Sequence, residues 1–531
     1  MRSLLVGIAV AMAFVVTASS ALAERVLRIE EVPIGELDPH KAIDYIDSII
    51  NFNVYDTLVW PNPDGTFSGL LAESWEVSDD GLNYTFTMRD AKFHDGSVVD
   101  AHDVAYSLAR TQAIGQAYAN LFVGLTASAV DDRTAQITLP ASNAAFLATL
   151  ARLSIVNSDL ARANQQEGDF GENGDYSAAF LSGNDAGSGA YTVESHNMQE
   201  LTILKAFSDH FDAFDPLAPD TVQIRYGISP ATMRTLMANG ELDLSMQWHP
   251  YETFGGLAGL DNVALTTEKG VGYVVLPINT QKAPTDDVHF RRAMVYALNY
   301  DAFSNIVKVT DDLYAGNPTR TAIPRAMFGY DTDAPAFKQD LDRARAELAK
   351  SKYADSAGDY EVELAWVAEV PMEEKIMLQL QYDLSQIGIK AKITKNPWVR
   401  FSDRAATVED TPHVGLLMFS ATYSDPISLL GDYHSSMRGS YLSMWWLQDA
   451  EVDGLIEATK VELDINKRAE VLKQLQRRIL DVAPAIYAFE FDAVFAKGAH
   501  IGAPPLDDDA KTVPVMGGNF RFHTWQVGDA M

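Results

Sequence analysis

Residues 71–108 read LAESWEVSDDGLNYTFTMRDAKFHDGSVVDAHDVAYSL. Two Asp-Gly pairs punctuate the stretch, Asp80-Gly81 and Asp95-Gly96, and a third, Asp64-Gly65, lies just upstream. Asp-Gly supplies the positive φ angles that tight hairpins need, and Tyr84–Met88 alternates like a half-buried strand. The stretch therefore predicts an antiparallel meander. It closes on a helix: Asp100 is placed to cap it, Asp103 falls at the third helical position, and Val104 and Leu108 repeat at four-residue spacing.

Downstream, Asp131–Leu139 reads as another strand, and the glycines of residues 182–193 suit a domain crossing or a close backbone approach. Leu201–Phe207 and Val222–Gly227 alternate as strands. Pro230–Gly240 reads as a helix closed by its glycine, and Leu242–Trp248 as a strand running out to Gln247 and Trp248. The later half is richer in helices. Phe290, Met294 and Leu298 mark one, Leu341 and Leu348 a second, and Ile376, Leu380, Leu384 and Ile387 a third that ends at Gly388. A fourth begins at an Asn466 cap and stops before Pro484. Strands Glu361–Val367 and Gly388–Thr394 alternate with these helices, as in a mixed α/β domain. Two strand-like segments, Tyr273–Thr280 and Ala485–Ala496, bracket this half, which is what a chain needs to cross to a second lobe and return.

The first residues, MRSLLVGIAVAMAFVVTASSALA, carry one Arg, an apolar run and a small-residue end, the pattern of a cleavable secretory signal leaving Glu24 first. Cysteine is absent, which excludes disulfides, thiol nucleophiles, thiolate metal sites and a cysteine-linked lipid anchor. The formal net charge of −32 opposes binding to nucleic acid phosphates. A chain of 531 residues, 47% hydrophobic, can bury more than one core.

The stretch at 71–108 resembles the signature of family 5 extracellular solute-binding proteins, the dipeptide- and oligopeptide-binding subunits of ABC importers. The resemblance continues through GSGAYTV (187–193), GELDL (240–244), FRRAMVYAL (290–298), QIGIK (386–390), YSDP (423–426) and APAIY (483–487), in the family's order. It implies an α/β fold of the type II (class C) periplasmic binding protein kind, two lobes and three domains with mixed sheets. After a signal at 1–23, domain I would comprise 24–57, 183–278 and 491–531. Domain II, the hairpin-rich insert, would cover 58–182, and domain III, the second lobe, 279–490.

The resemblance also implies where a solute would sit, and where this chain departs from its relatives. In peptide-binding members an Asp three residues before the Asp-Pro corner pairs with the peptide's α-amino group. Here that residue is Thr422. An Arg and a Trp of the oligopeptide binders are matched by Leu416 and Phe419, and the His of nickel-binding relatives by Ile427, which removes the main ligand of a metal reading. The wall then offers the hydroxyls of Ser420, Thr422 and Tyr423, which suit a less cationic solute, sugar-like, opine-like or a modified peptide. The alternative is a peptide whose amine meets a different carboxylate.

By the same comparison the remaining contacts would be backbone groups near Val32 and Ile34, then Tyr118, Gln247, Trp248, Trp398, Arg404, Trp445 and Tyr487. Each has a plainer reading beside it. Aromatic residues in a chain of this size are more often core than cleft, Arg404 could pair with a surface acid, and Asp425 with Pro426 could be corner architecture.

The sequence holds no Gly-x-Ser-x-Gly elbow, His-Glu-x-x-His pair or phosphate-cradling loop, and its eleven His residues are scattered. Neither catalysis nor a cofactor is expected. The expected protein is a periplasmic monomer that takes up a peptide or other small polar solute by lobe closure and hands it to an ABC permease at the inner membrane. An exported chaperone or secreted hydrolase would share the leader and the acidity; saturable binding of one small molecule, without turnover, separates the importer subunit from both.

Overall fold

The computed structural model describes residues 24–368, 370 and 372–529. The expected signal at 1–23 lies outside them. Strands Val26–Glu31, Thr221–Tyr226, Leu201–Ala206 and Tyr191–Asn197 form the first sheet in that spatial order, the first pair parallel and the others antiparallel. Alternation aims Leu27, Ile29, Val222, Ile224 and Leu204 into one core. The helix Tyr45–Val54 is buried over nearly its whole length in the same core.

The meander predicted from residues 71–108 is present as Ala72–Val77, Asn83–Met88, Thr134–Thr138 and Thr126–Asp131, all antiparallel. Gly65 turns the separate two-stranded hairpin Val59–Pro61 with Phe67–Gly69 at φ 83°; in the meander Gly81 turns the first hairpin at 69°, and Gly96 the Lys92–Val98 bridge that follows at 88°. Helix Ala101–Ile114 packs on it, with Asp100 Oδ1 accepting the His102 N–H at 2.7 Å and Asp103 Oδ2 the Asp100 N–H at 2.9 Å. Phe86, Phe93, Val104, Phe122 and Ile137 make this region its own core. Gly187 joins it to the first sheet: a Cβ there would fall 1.9 Å from the Val54 carbonyl oxygen, so only glycine allows the approach.

Two long strands, Val263–Pro277 and Ala485–Gly498, run antiparallel along their length and carry the chain out to the second lobe and back. Leu417–Ser420 adds to the outer edge of the first and Gly316–Asn317 to the second. Beyond them lie the parallel pair Glu361–Val367 and Lys390–Asn396 and the helices Val288–Ala297, Leu341–Leu348, Met372–Ser385, Ala450–Val461 and Ile465–Val482. One hydrophobic cluster runs from the first sheet through Val274, Leu276, Phe489 and Phe491 into helices 288–297 and 372–385. No helix among the described residues is long and apolar enough to cross a membrane.

Three local expectations are corrected. Residues 242–248 form no strand: Asp243 accepts the Arg28 N–H at 2.7 Å, and Leu244 makes only single bridges, to Ile29 and Lys497. The cap of helix Ile465–Val482 is Asp464, whose Oδ1 takes the N–H groups of Asn466 and Lys467 at 3.0 and 3.1 Å, in place of Asn466. The strand at 131–139 begins at Thr134, because Asp131 closes a turn by accepting the Arg133 N–H.

Candidate functional site

The two lobes meet where strand Leu417–Ser420 ends. Arg152, 6% exposed, comes from the meander side. Its Nε donates to the Thr422 carbonyl of the second lobe, its Nη1 to Ser48 Oγ at 3.0 Å, and its Nη2 to the Met516 carbonyl at 3.0 Å. The guanidinium also lies over the rings of Tyr118 and Phe52, at 4.6 and 5.1 Å. No acid pairs with it among the described residues, and burial lowers its pKa. The Met516 N–H reaches the Ala421 carbonyl at 2.9 Å, and Tyr423 packs against Ala145 and Ala148. The stretch 420–423 is therefore a wall facing the opposite lobe.

Within that wall Thr422 is tied to its own lobe. Its N–H donates to Ser428 Oγ at 2.8 Å and its hydroxyl lies 3.2 Å from the same oxygen. Ser420 holds the strand end opposite Gly272. Asp425 is corner architecture, gripped by both Arg468 nitrogens at 2.7 and 2.8 Å.

Three aromatic candidates belong to the second lobe's core. Phe419 stacks between Tyr273 and Trp445 at 5.9 and 6.0 Å. Trp445 lies flat on Tyr433, centroids 3.9 Å apart, and Tyr487 bonds the Tyr433 hydroxyl at 2.7 Å. Their bulk buries the largest apolar area available, which is why aromatics settle there. Arg404 is committed within its lobe, donating to Glu363 at 2.7 Å and to the Asp410 carbonyl at 2.8 Å. Trp398 is different. It opens helix Trp398–Asp403, is 40% exposed, and meets the Tyr441 ring edge-on at 5.1 Å. Burial pushes the Tyr441 phenol up, helped by Asp432 on its own lobe and by Tyr118 and Asp44 across the gap.

On the first lobe Tyr118 donates its hydroxyl to the Ile43 carbonyl at 3.1 Å. Val32 is half-buried, while Ile34 is in the core at 3% exposure. The next two N–H groups, of Gly35 and Glu36, are taken by Asp47 at 3.0 and 3.3 Å. Gln247 is 5% exposed, and its Oε1 has no partner among the described residues. Trp248 is 43% exposed and stacks parallel to Phe491.

The structure thus brings Tyr118, Thr422 and, through Tyr441, Trp398 together. It leaves Phe419, Trp445, Tyr487 and Arg404 to internal packing. Sequence reasoning passed over Arg152 and Asp432. Arg152 is a lone charge in the apolar run AFLATLARLSIV (145–156), a signal that it needs a partner from elsewhere. Asp432 follows the Asp-Pro corner in GDYH (431–434) with no local signal of its own. No group of His, Cys, Asp and Glu among the described residues could hold a metal ion.

Residues 66–440 match the family described as "Bacterial extracellular solute-binding proteins, family 5 Middle". The chain is similar to a probable D,D-dipeptide-binding periplasmic protein of Escherichia coli (strain K12), with 27% identity over 86% of each chain. It is also similar to a dipeptide-binding protein of the same organism, with 28% identity over 84% of this chain and 83% of that one. Among solved structures, an ABC transporter-associated periplasmic binding protein of Helicobacter pylori in complex with a peptide, STSA, superposes with a TM-score of 0.77. That alignment has 22% identity over 95% of this chain and 99% of that one.

Proposed function

Since the chain belongs to the bacterial extracellular solute-binding proteins of family 5, we propose that it captures a peptide or peptide-sized polar solute in the periplasm and presents it to an ABC permease. The observation that carries the reading is the pair of strands Val263–Pro277 and Ala485–Gly498, the double connection between two lobes whose facing walls meet at Arg152 and Thr422. A solute held between those walls contacts both lobes only when they are shut, so its differential affinity drives closure. A swing from mostly open to mostly closed takes about 5.5 kcal/mol. Trp398, Tyr118, Gln247, Trp248 and the wall at Ser420–Thr422 would line the gap.

In this reading the segment 1–23 is the leader removed on export, and a chain without cysteine carries no lipid on a thiol. The protein works as a monomer, leaves nucleic acid alone and turns nothing over. Denaturing the protein purified from a periplasmic extract and identifying the released small molecules by mass spectrometry tests the proposal. A peptide or peptide-like solute in equimolar amount is expected. A chemically transformed product appearing during incubation would overturn it in favour of an enzyme.

A further inference from the structure

Thr422 leaves the second lobe's wall uncharged where the family's peptide binders carry an Asp, but past the Asp-Pro corner a carboxylate returns. Asp432 sits in the short 3-10 turn Gly431–Tyr433. The turn is held from two sides. The Asp432 carbonyl accepts the Trp445 indole N–H at 3.1 Å, and Tyr433, the next residue, lies flat on the same indole with centroids 3.9 Å apart.

The carboxylate itself is not held. Among the described residues no N–H, hydroxyl or cation bonds it, and burial alone pushes it up to about 8. It is only half-buried by surface, so one side stays open. The turn packs on the turn Tyr441–Ser443, whose Tyr441 meets the ring of the exposed Trp398 edge-on at 5.1 Å. Tyr423 packs on Ala145 and Ala148 of the opposite lobe, and burial raises the Tyr441 phenol with help from Asp432 and from Tyr118 and Asp44 of that lobe. The carboxylate therefore lies beside the gap between the lobes.

An ionised carboxylate in such surroundings is costly unless a cation meets it. Aromatic faces next to a lone carboxylate are the chemistry that receives an ammonium group. Two other buried acids without a cation among the described residues, Glu31 and Glu268, are closed off. They are 2% and 0% exposed, and Glu268 is already bonded by Tyr45 and Asn519. Asp432 differs from both in its open side.

We propose that Asp432 anchors a positively charged amino group of the bound solute, from a position in the wall other than that of Thr422. The proposal rests on the reading of the chain as a binder of peptide-like solutes.

The test is calorimetric titration of the ligand-stripped wild-type protein and of Asp432→Asn with three probes, Met-Leu, D-Ala-D-Ala and Ser-Thr-Ser-Ala, each also in N-acetylated form. For any probe the wild type binds, Asp432→Asn should weaken binding about 100-fold or more, and acetylation should weaken the wild type similarly while adding little in the variant. Thermal unfolding of Asp432→Asn should match or exceed the wild type, because the exchange removes an uncompensated acid; Asp432→Ser serves as a second variant if Asn does not fold. Free-amine peptides bound within about threefold of wild type by either variant overturn the anchor while leaving the peptide reading intact. Failure of the wild type to bind any probe removes the peptide reading and the anchor with it.

Discussion

Glu31 ends the first strand of the N-terminal sheet with its carboxyl inside the protein, 2% exposed and without a cation among the described residues. Burial pushes it from an ordinary value of 4.5 up to about 8; the Val32 N–H opposes this, and Glu30 and Glu268 add to it. The folded chain therefore holds this proton more tightly than the unfolded chain. Its contribution to stability falls as pH rises from about 4.5 to about 8 and is level above that. Glu31→Gln removes the titration. The stability of the variant relative to wild type should rise across that window by on the order of a few kcal/mol, since each tenfold difference in proton affinity between folded and unfolded chain is worth about 1.4 kcal/mol. Urea midpoints at the two ends of the window check this. A difference that does not change with pH would mean that Glu31 keeps its ordinary titration in the fold.

At the scale of elements, the helix Ala101–Ile114 depends on a box in which Asp100 and Asp103 each accept the other's backbone N–H. Asp100→Ala should cost about 1 kcal/mol, seen as faster amide exchange in the first turn of that helix with the solute affinity unchanged. An unchanged exchange rate there would show that packing on the meander, rather than the cap, fixes the helix start. This element was legible in the sequence because its signals are local: a cap, an acid three residues on, and a turn glycine before it. The crossing strands were legible for a similar reason, as two apolar runs bracketing a helical half. Residues 242–248 misled because Leu242, Leu244 and Met246 alternate as a strand does, while the backbone there is fixed by the Asp243 carboxylate on Arg28 and His500. Side-chain pinning leaves no period. The site was legible only where a family motif reached it. Asp432 gave no local signal, and Arg152 gave only the signal of a lone charge in an apolar run, because its bond is to Thr422, 270 residues on in the opposite lobe.

That bond sets the behaviour of the whole molecule. Two of the Arg152 bonds, to Ser48 and Met516, stay on its own side, whereas the bond to Thr422 spans the lobes, so in the proposed opening the first two would be kept and the third lost. A guanidinium taken out of water with carbonyls and rings for partners, and no acid, contributes through those hydrogen bonds, each worth about 1.5–3 kcal/mol when the donor is charged. Losing the Thr422 bond should therefore favour the open form and lower solute affinity by the same free energy, because the solute must then supply the whole of closure. Arg152→Met keeps the length and the ring contacts with Phe52 and Tyr118 but not the donors. X-ray scattering with saturating solute should still show compaction in this variant, while calorimetry finds affinity about tenfold or more weaker. Arg152→Lys should recover only part of the loss, since a single ammonium cannot reach three acceptors in the guanidinium's fixed plane. Wild-type affinity in Arg152→Met would place the closing free energy elsewhere in the wall, in the packing of Tyr423 on Ala145 and Ala148 and the Met516 to Ala421 bond.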